Sequence, residues 1–233
     1  MKKVISFSLW GENPKYTIGA IKNAELALSI YPDWICRYYI GKSTPKEIIN
    51  KLTEFYNTEI YILNEKGNWS GMFWRFYAAT DPSVDVMISR DTDSRLSLRE
   101  KNAVDEWLAS PSVFHIMRDH PYHKTEILGG MFGIKKNAIE NLHTLLNEYT
   151  KGDFWQVDQN FLREKIYPLI YKNSTVHDPF FEKKPFPSSR TNSLFTLEKK
   201  PFPSSRVNSE FVGEVYDALE NRNPEHYLLI PNE

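Results

Sequence analysis

The apolar positions of this chain fall into short blocks separated by turn-forming clusters, and successive blocks alternate between two periods. Residues 4–9 form a continuous β-rich run that ends at Gly11-Glu12-Asn13-Pro14, as a buried first strand does. In residues 17–29, Ile18, Ile21, Ala24 and Leu28 return at close to helical spacing, and Pro32-Asp33 breaks the run. Residues 34–40 read as a second strand. Residues 45–55 read as a helix, with Pro45 at its first position and Ser43 or Thr44 as its cap. Residues 59–63 make a third strand, and the aromatic-rich stretch 71–79 a helix closed by Asp81-Pro82. Residues 84–89 are a fourth strand that leads directly into Arg90-Asp91-Thr92-Asp93. Beyond it the pattern predicts a helix over 98–108, a strand over 113–117 and a glycine-rich strand over 127–134. Two further helices follow, over 138–149 and 156–166, the second stopping before Pro168. Strands alternating with helices at this spacing predict an α/β fold, three layers deep, with a mostly parallel central sheet covered on both faces.

The pattern changes near residue 179. The segment 182–190 recurs without a change at 198–206, and Asn192-Ser193 recurs as Asn208-Ser209, a period of 16 residues. Two copies are too few for a solenoid, and the prolines oppose regular helix or central strand. The chain therefore divides into a domain over 1–180 and a Pro-rich C-terminal tail over 181–233 that carries a tandem duplication. The tail is either wrapped on the domain, with Phe186 and Phe202 as anchors, or mobile.

Hydrophobic residues make up 41% and aromatic residues 14% of the 233, enough for a substantial core without disulfides. Twenty-nine basic and 30 acidic residues leave a formal net charge of −1, which gives no long-range attraction to nucleic acid or anionic lipid. Cys36 is the sole cysteine, so neither an internal disulfide nor a multi-thiol zinc site can form. The opening basic residues are followed by too short an apolar run for a signal peptide, and no stretch approaches a membrane span. The expectation is a cytoplasmic protein with neither nucleic acid nor membrane as a partner.

The strongest chemical signal is Asp91-Thr92-Asp93 after an apolar strand. Ligands of open α/β sheets bind beyond the carboxyl ends of the strands. Two carboxylates one residue apart in a turn can face one hard cation, Mn²⁺ or Mg²⁺, that leaves positions open for diphosphate oxygens. The competing reading is a solvated loop in which Asp93 caps the helix that follows. A second signal, Asp158-Gln159, opens a helix. A carboxylate there can act as a general base or orient an acceptor hydroxyl, or simply complement the helix dipole. A third, Val176-His177-Asp178, lies in a late loop where a neutral imidazole could complete the cation's shell or be an ordinary surface residue.

These landmarks in this order resemble a GT-A glycosyltransferase, and within that fold family 8, the glycogenin and bacterial lipopolysaccharide galactosyltransferase group. They are Asp91-Thr92-Asp93, Gly129-Gly130-Met131-Phe132-Gly133 in a later strand, Asp158-Gln159 and His177. The resemblance covers about residues 4–180. It implies that Asp91, Asp93 and His177 bind Mn²⁺ (or Mg²⁺), that Gly129 and Gly130 line the acceptor side, and that Asp158 and Gln159 face the transferred sugar. The family's Asn-Ala-Gly is replaced here by Gly129-Gly130, and its His-Gly…Lys-Pro-Trp motif is echoed only loosely by His177-Asp178 and Lys184-Pro185-Phe186. The segments Arg-Asp-Thr-Asp-Ser-Arg and Met-Arg-Asp-His-Pro are also similar to those of other glycosyltransferase-like proteins.

Smaller assignments follow. Arg75 can pair with a diphosphate or with the Asp cluster. Trp10 follows the first strand, where this fold places nucleotide bases, though packing explains it equally well. Arg90 and Arg95 flank the carboxylates as neutralising groups. The polar segment 118–123 offers His120 to an acceptor. The expected reaction is transfer of a hexose from a UDP- or GDP-sugar to a glycan or other hydroxyl acceptor. Gln159 or Asp158 would stabilise an oxocarbenium-like transition state if configuration is retained, and Asp158 would be the base if it is inverted. The alternatives are a non-catalytic sugar-binding or scaffold protein on the same fold, and a metal-dependent phosphatase or nucleotidyltransferase.

Overall fold

The computed structural model describes residues 1–188 and 206–231. In chain order the elements are β1 (Lys3–Leu9), α1 (Pro14–Ile30), β2 (Ile35–Gly41), α2 (Lys46–Thr53), β3 (Thr58–Leu63) and a 3-10 helix (Trp69–Thr80). Then come β4 (Val86–Ser89), α3 (Leu98–Ala109), β5 (Phe114–Met117), β6 (Phe132–Lys135), α4 (Leu142–Glu148), α5 (Val157–Phe161), α6 (Tyr167–Ile170) and β7 (Ser174–His177). Near the C-terminus β8 (Arg206–Ser209) pairs antiparallel with β9 (Leu228–Pro231).

The first seven strands form one sheet in the order β3-β2-β1-β4-β6-β5-β7. All neighbouring pairs are parallel except those of β6, which runs against β4 and β5. The chain winds outward from β1 to β2 and β3, then returns to place β4 on the other side of β1. That reversal opens the crevice at the carboxyl ends of β1 and β4.

Alternation along β1 builds both cores. Ile5, Phe7 and Leu9 pack with Ala20, Ala24 and Ala27 of α1 and with Trp107 of α3. Val4 faces the opposite layer, with Phe73, Trp74 and Phe76 of the 3-10 helix and Phe161 of α5. Period-2 strands with small residues on the facing helix allow this close layering.

Several expectations shift. The aromatic stretch 71–79 is a 3-10 helix, not an α-helix, and it starts at Trp69 with Asn68 accepting from the Ser70 amide. Pro45 occupies the cap position of α2, and no side chain caps it; the Ser43 hydroxyl is instead engaged by the Gly11 amide at 2.9 Å. The glycine-rich strand is shorter than expected, since β6 starts only at Phe132 and Gly129-Gly130 precede it. The helix from residue 157 does not stop at Pro168: it widens to a π-turn over Leu162–Ile166 and continues as α6, with the proline in its first turn. A proline there lacks only a donor that the first turn does not need. His177 ends β7 and is not in a loop.

The tail contributes to the same body. Phe186 is buried with Ala103, Met117, Met131 and Val212, and the Arg99 guanidinium lies 4.2 Å from the centre of its ring. Phe202 lies outside the described residues, as does most of the second copy of the duplication.

Candidate active site

Strand β4 delivers Arg90, Asp91, Thr92 and Asp93 to the crevice beside β1. The turn is held tightly from α1. Asn23 donates to the Ser94 carbonyl at 2.8 Å and accepts from the Leu96 amide at 3.0 Å. A Cβ at Gly19 would collide with the Thr92 carbonyl, so the helix can approach the turn this closely only with glycine there. From the other side the Tyr216 amide donates to the Asp93 carbonyl at 2.9 Å, and Val215 bridges Ser94. Asp93 is thus not the cap of α3; Ser97 fills that role.

The two carboxylates have separate partners. Asp93 Oδ2 meets the Lys15 ammonium, from the first turn of α1, at 2.8 Å. Asp91 accepts from Arg75 Nη1, and Arg75 Nη2 donates to Asp158 Oδ2 at 2.6 Å. Arg75 therefore links the carboxylate after β4 to the one on α5. Its own amide donates to the Ser8 hydroxyl on β1 at 2.9 Å, which fixes its root.

Two glycines close the arrangement from below. A Cβ on Gly130 would fall on Asp91 Oδ2, and one on Gly129 on Asp158 Oδ2 and Arg75 Nη2. Ser89 donates to the Gly129 carbonyl at 2.6 Å and so anchors this turn to β4.

Burial sets the electrostatics. Burial, reinforced by the charge of Asp91, raises the Asp93 carboxyl above its ordinary value against the opposing pull of Lys15. Burial also raises Asp158, although Arg75 acts in the other direction. For Arg75 burial disfavours the cation, and the attraction of Asp91 and Asp158 outweighs it, so the guanidinium stays charged. Asp158 Oδ1 is buried, and the Gln159 amide, like Arg75, acts to lower this carboxyl.

The structure thus brings Asp91, Asp93, Arg75, Asp158, Gly129 and Gly130 to one place. His177 is a correction. It is buried on the α3 side, its Nδ1 2.8 Å from His115 Nε2 and its Nε2 3.5 Å from Glu106. Its ring packs on Phe186, and burial lowers the pKa of both imidazoles. A β7 that pairs parallel with β5 carries this side chain away from β4. Among the described residues no group of three or more His, Cys, Asp or Glu side chains is placed to hold a metal ion. Arg90 and Arg95 do not neutralise the aspartates: Arg90 is buried against Glu100 at 3.1 Å, and Arg95 pairs with Glu220 at 2.6 Å.

Trp10 is half-buried at the end of β1, edge-on to Trp74 with ring centres 5.7 Å apart, and packed under Gly67. Gln159 and His120 line a cleft of about 630 Å³ with Tyr122, Trp155, Phe211 and His226. Sequence reasoning missed Lys15, Asn23 and the 211–216 segment. Lys15 could have been suspected from its place in the first turn after β1; nothing local marked the others.

Asp91 and Asp93 offer hard oxygen donors of the kind Mn²⁺ or Mg²⁺ takes. The Asp91 side chain is 46% exposed, so water and ligand oxygens have access to complete a cation's shell.

Comparison with known proteins agrees with this layout. No protein-family model matches the chain, and no curated protein matches it by sequence. Among solved structures, the mannosyltransferase PcManGT from Pyrobaculum calidifontis, in complex with GDP-Man and Mn²⁺, aligns over 78% of this chain and 58% of its own, with 12% identity and a TM-score of 0.51. S. aureus TarS in complex with UDP aligns over 76% of this chain and 58% of its own, with 12% identity and a TM-score of 0.51. A glycosyltransferase involved in glycosylation of the major capsid of PBCV-1 aligns over 77% and 82%, with 21% identity and a TM-score of 0.49. The chain spans under two thirds of the first two structures. The fold is a GT-A-like α/β fold, shared with PcManGT, which is a mannosyltransferase. No described helix is long and apolar enough to cross a membrane.

Proposed function

We propose that this chain is a glycosyltransferase that moves a hexose from a nucleoside-diphosphate sugar, UDP- or GDP-linked, to a hydroxyl acceptor. The observation that carries this reading is the Arg75 bridge, which gathers Asp91 after β4 and Asp158 on α5 at the crevice where α/β sheets bind their ligands. The neighbours' GDP-Man, UDP and Mn²⁺ support it by analogy of fold.

Asp91 and Asp93 would hold the divalent cation, which supplies charge neutralisation for the departing diphosphate. Lys15 and Arg75 then have a second role. Paired with these carboxylates, they would supply positive charge towards a bound diphosphate. Asp158 is the group for the sugar side. With retention of configuration, Gln159 or Asp158 would stabilise an oxocarbenium-like transition state; with inversion, Asp158, whose carboxyl burial raises, would accept the proton of the acceptor hydroxyl. Trp10 is assigned to the nucleotide base, and His120, Gly129 and Gly130 to the acceptor side.

A second reading, a sugar-nucleotide-binding protein without turnover, is favoured by one observation: Lys15 and Arg75 already occupy the two carboxylates. One experiment separates them. Thermal shift of the full chain is measured with UDP, GDP, CMP and their sugars, with and without Mn²⁺, for wild type and Asp93→Ala, alongside release of nucleoside diphosphate. A Mn²⁺-dependent shift lost in Asp93→Ala, with slow donor hydrolysis, supports the transferase. A shift that ignores Mn²⁺, with no hydrolysis, supports the binding protein. No shift with any nucleotide rejects both.

A further inference from the structure

The cleft beyond Gln159 has features that the carboxylate cluster does not explain. Two large aromatic side chains on its wall stand open to solvent, Tyr122 at 67% and Trp155 at 65% exposure. Rings of this size gain most from being covered, so two of them in one cleft mark a surface built to receive something. The wall is continuous: the His120 ring lies 4.9 Å from Tyr122 and 4.4 Å from Phe211, and His226 meets Tyr122 edge-on at 6.2 Å.

The backbone at this place is also held in a costly form. Gln156 has φ 68° and ψ 14°, in the left-handed region, although it is not glycine. Such a residue costs on the order of 1 kcal/mol. This left-handed turn sits between the exposed Trp155 and the start of α5, so that Trp155, Gln156 and Gln159 all line the same cleft. The cleft adjoins the carboxylate turn through two of its lining residues, Val215, which bridges Ser94 beside Asp93, and Leu128, which precedes Gly129.

The chemistry of the wall selects a ligand class. Flat aromatic faces match the C–H faces of a pyranose, and the amides of Gln156, Gln159 and Asn160 with the imidazoles of His120 and His226 match its hydroxyls. An acyl chain offers those polar groups no hydrogen-bonding atoms of its own. Of the charged residues in the cleft, Lys124 is balanced by Glu126 and Arg163 is paired with Glu164 at 3.5 Å, so no strong preference for an anion arises.

We propose that this cleft is the acceptor subsite and that its ligand is a neutral saccharide stacked on Trp155, with Gln159 taking one of its hydroxyls. The assignment rests on the transferase reading above, but its binding test does not. Neutral mono- and disaccharides are titrated against the full chain, following tryptophan fluorescence, in wild type, Trp155→Ala and Trp155→Phe. The expected result is a saturable change in wild type, an affinity at least tenfold weaker in Trp155→Ala, and recovery of most of it in Trp155→Phe. With a donor present, the ratio of transfer to donor hydrolysis falls at least tenfold in Trp155→Ala. Equal saccharide affinity in wild type and Trp155→Ala, read by calorimetry, overturns the location. Transfer to a Ser/Thr peptide with no saccharide binding overturns the ligand class. Saccharide binding that depends on Trp155 without any donor binding keeps this subsite and removes the transferase reading.

Discussion

Arg75 Nη2 donates to Asp158 Oδ2 across 2.6 Å, joining the 3-10 helix to a residue 83 positions later on α5. Both groups are almost fully buried, at 5% and 1% side-chain exposure. The other end of the same guanidinium holds Asp91. One cation therefore sets the spacing between the proposed metal-holding and sugar-facing carboxylates.

Removing that cation strands two acidic groups. Arg75→Met is expected to lower stability by about 3–5 kcal/mol, the usual cost of breaking a buried pair from one side. Arg75→Lys keeps the charge but cannot span both carboxylates, so turnover should fall at least tenfold with a smaller loss of stability. Urea unfolding and donor hydrolysis measure the two effects. An unchanged urea midpoint in Arg75→Met would remove the bridge from any structural role.

Gly130→Ala tests the positioning of Asp91. The added methyl lands on Asp91 Oδ2, and the backbone beneath it is fixed by the Ser89–Gly129 hydrogen bond, so the carboxylate must turn away. Mn²⁺-dependent nucleotide affinity is expected to drop at least tenfold while the circular dichroism spectrum stays that of wild type. Affinity equal to wild type would mean that Asp91 does not hold the cation.

One contribution to acid stability lies elsewhere, at Arg37. This buried guanidinium donates to Asp81 at 2.7 Å and to Glu59 at 2.8 Å. Burial acts to raise the Asp81 carboxyl, but hydrogen bonds from Ser83 and the Arg37 pairing outweigh it and hold the value down at about 2. Because the folded value lies below the unfolded one, the stabilisation is present above the ordinary carboxylate value and is lost as pH falls towards 2. Asp81→Asn should therefore cost about 1–2 kcal/mol at pH 7. The difference from wild type should shrink below pH 4 and vanish near 2. A pH series of melting temperatures reads this directly, and a constant difference across it would contradict the assignment.

The duplication yields a deletion with a definite outcome. Residues 182–188 and 206–213 contribute the buried anchors Phe186, Phe211 and Val212, and the Val212 amide donates to Asp119 at 3.0 Å. Residues 189–204, which lie outside the described residues, amount to one full period. Removing them joins Ser188 to Ser205 and restores the repeat sequence across the junction. Stability is expected to stay within about 1 kcal/mol of wild type, since the junction keeps the repeat sequence and every buried anchor named above. A much larger loss in chemical denaturation would show that both copies are needed.

Much of the frame was readable in advance. The first five strands were announced by their apolar runs, and the helices α1 and α3 by their period, because such signals are local; β7, β8 and β9 were not. The Asp91-Asp93 turn was legible for the same reason: an apolar strand that ends in carboxylates says where it ends. The reversal of β6 was not, since a four-residue apolar strand has no direction in its composition. His177 was misplaced because its role depended on which strand β7 joined.

What the sequence determined by itself, then, is the order of elements as far as α5, the two-sided core and the acidic turn at the end of β4. These follow from periodicity and chain-local sterics. Only the tertiary structure decided which cations meet those carboxylates, Lys15 on Asp93 and Arg75 on Asp91 and Asp158, and that His177 pairs with His115 instead. The reason is physical. Those partners lie far apart along the chain, and their meeting is set by strand order and helix packing, which no short window of residues contains.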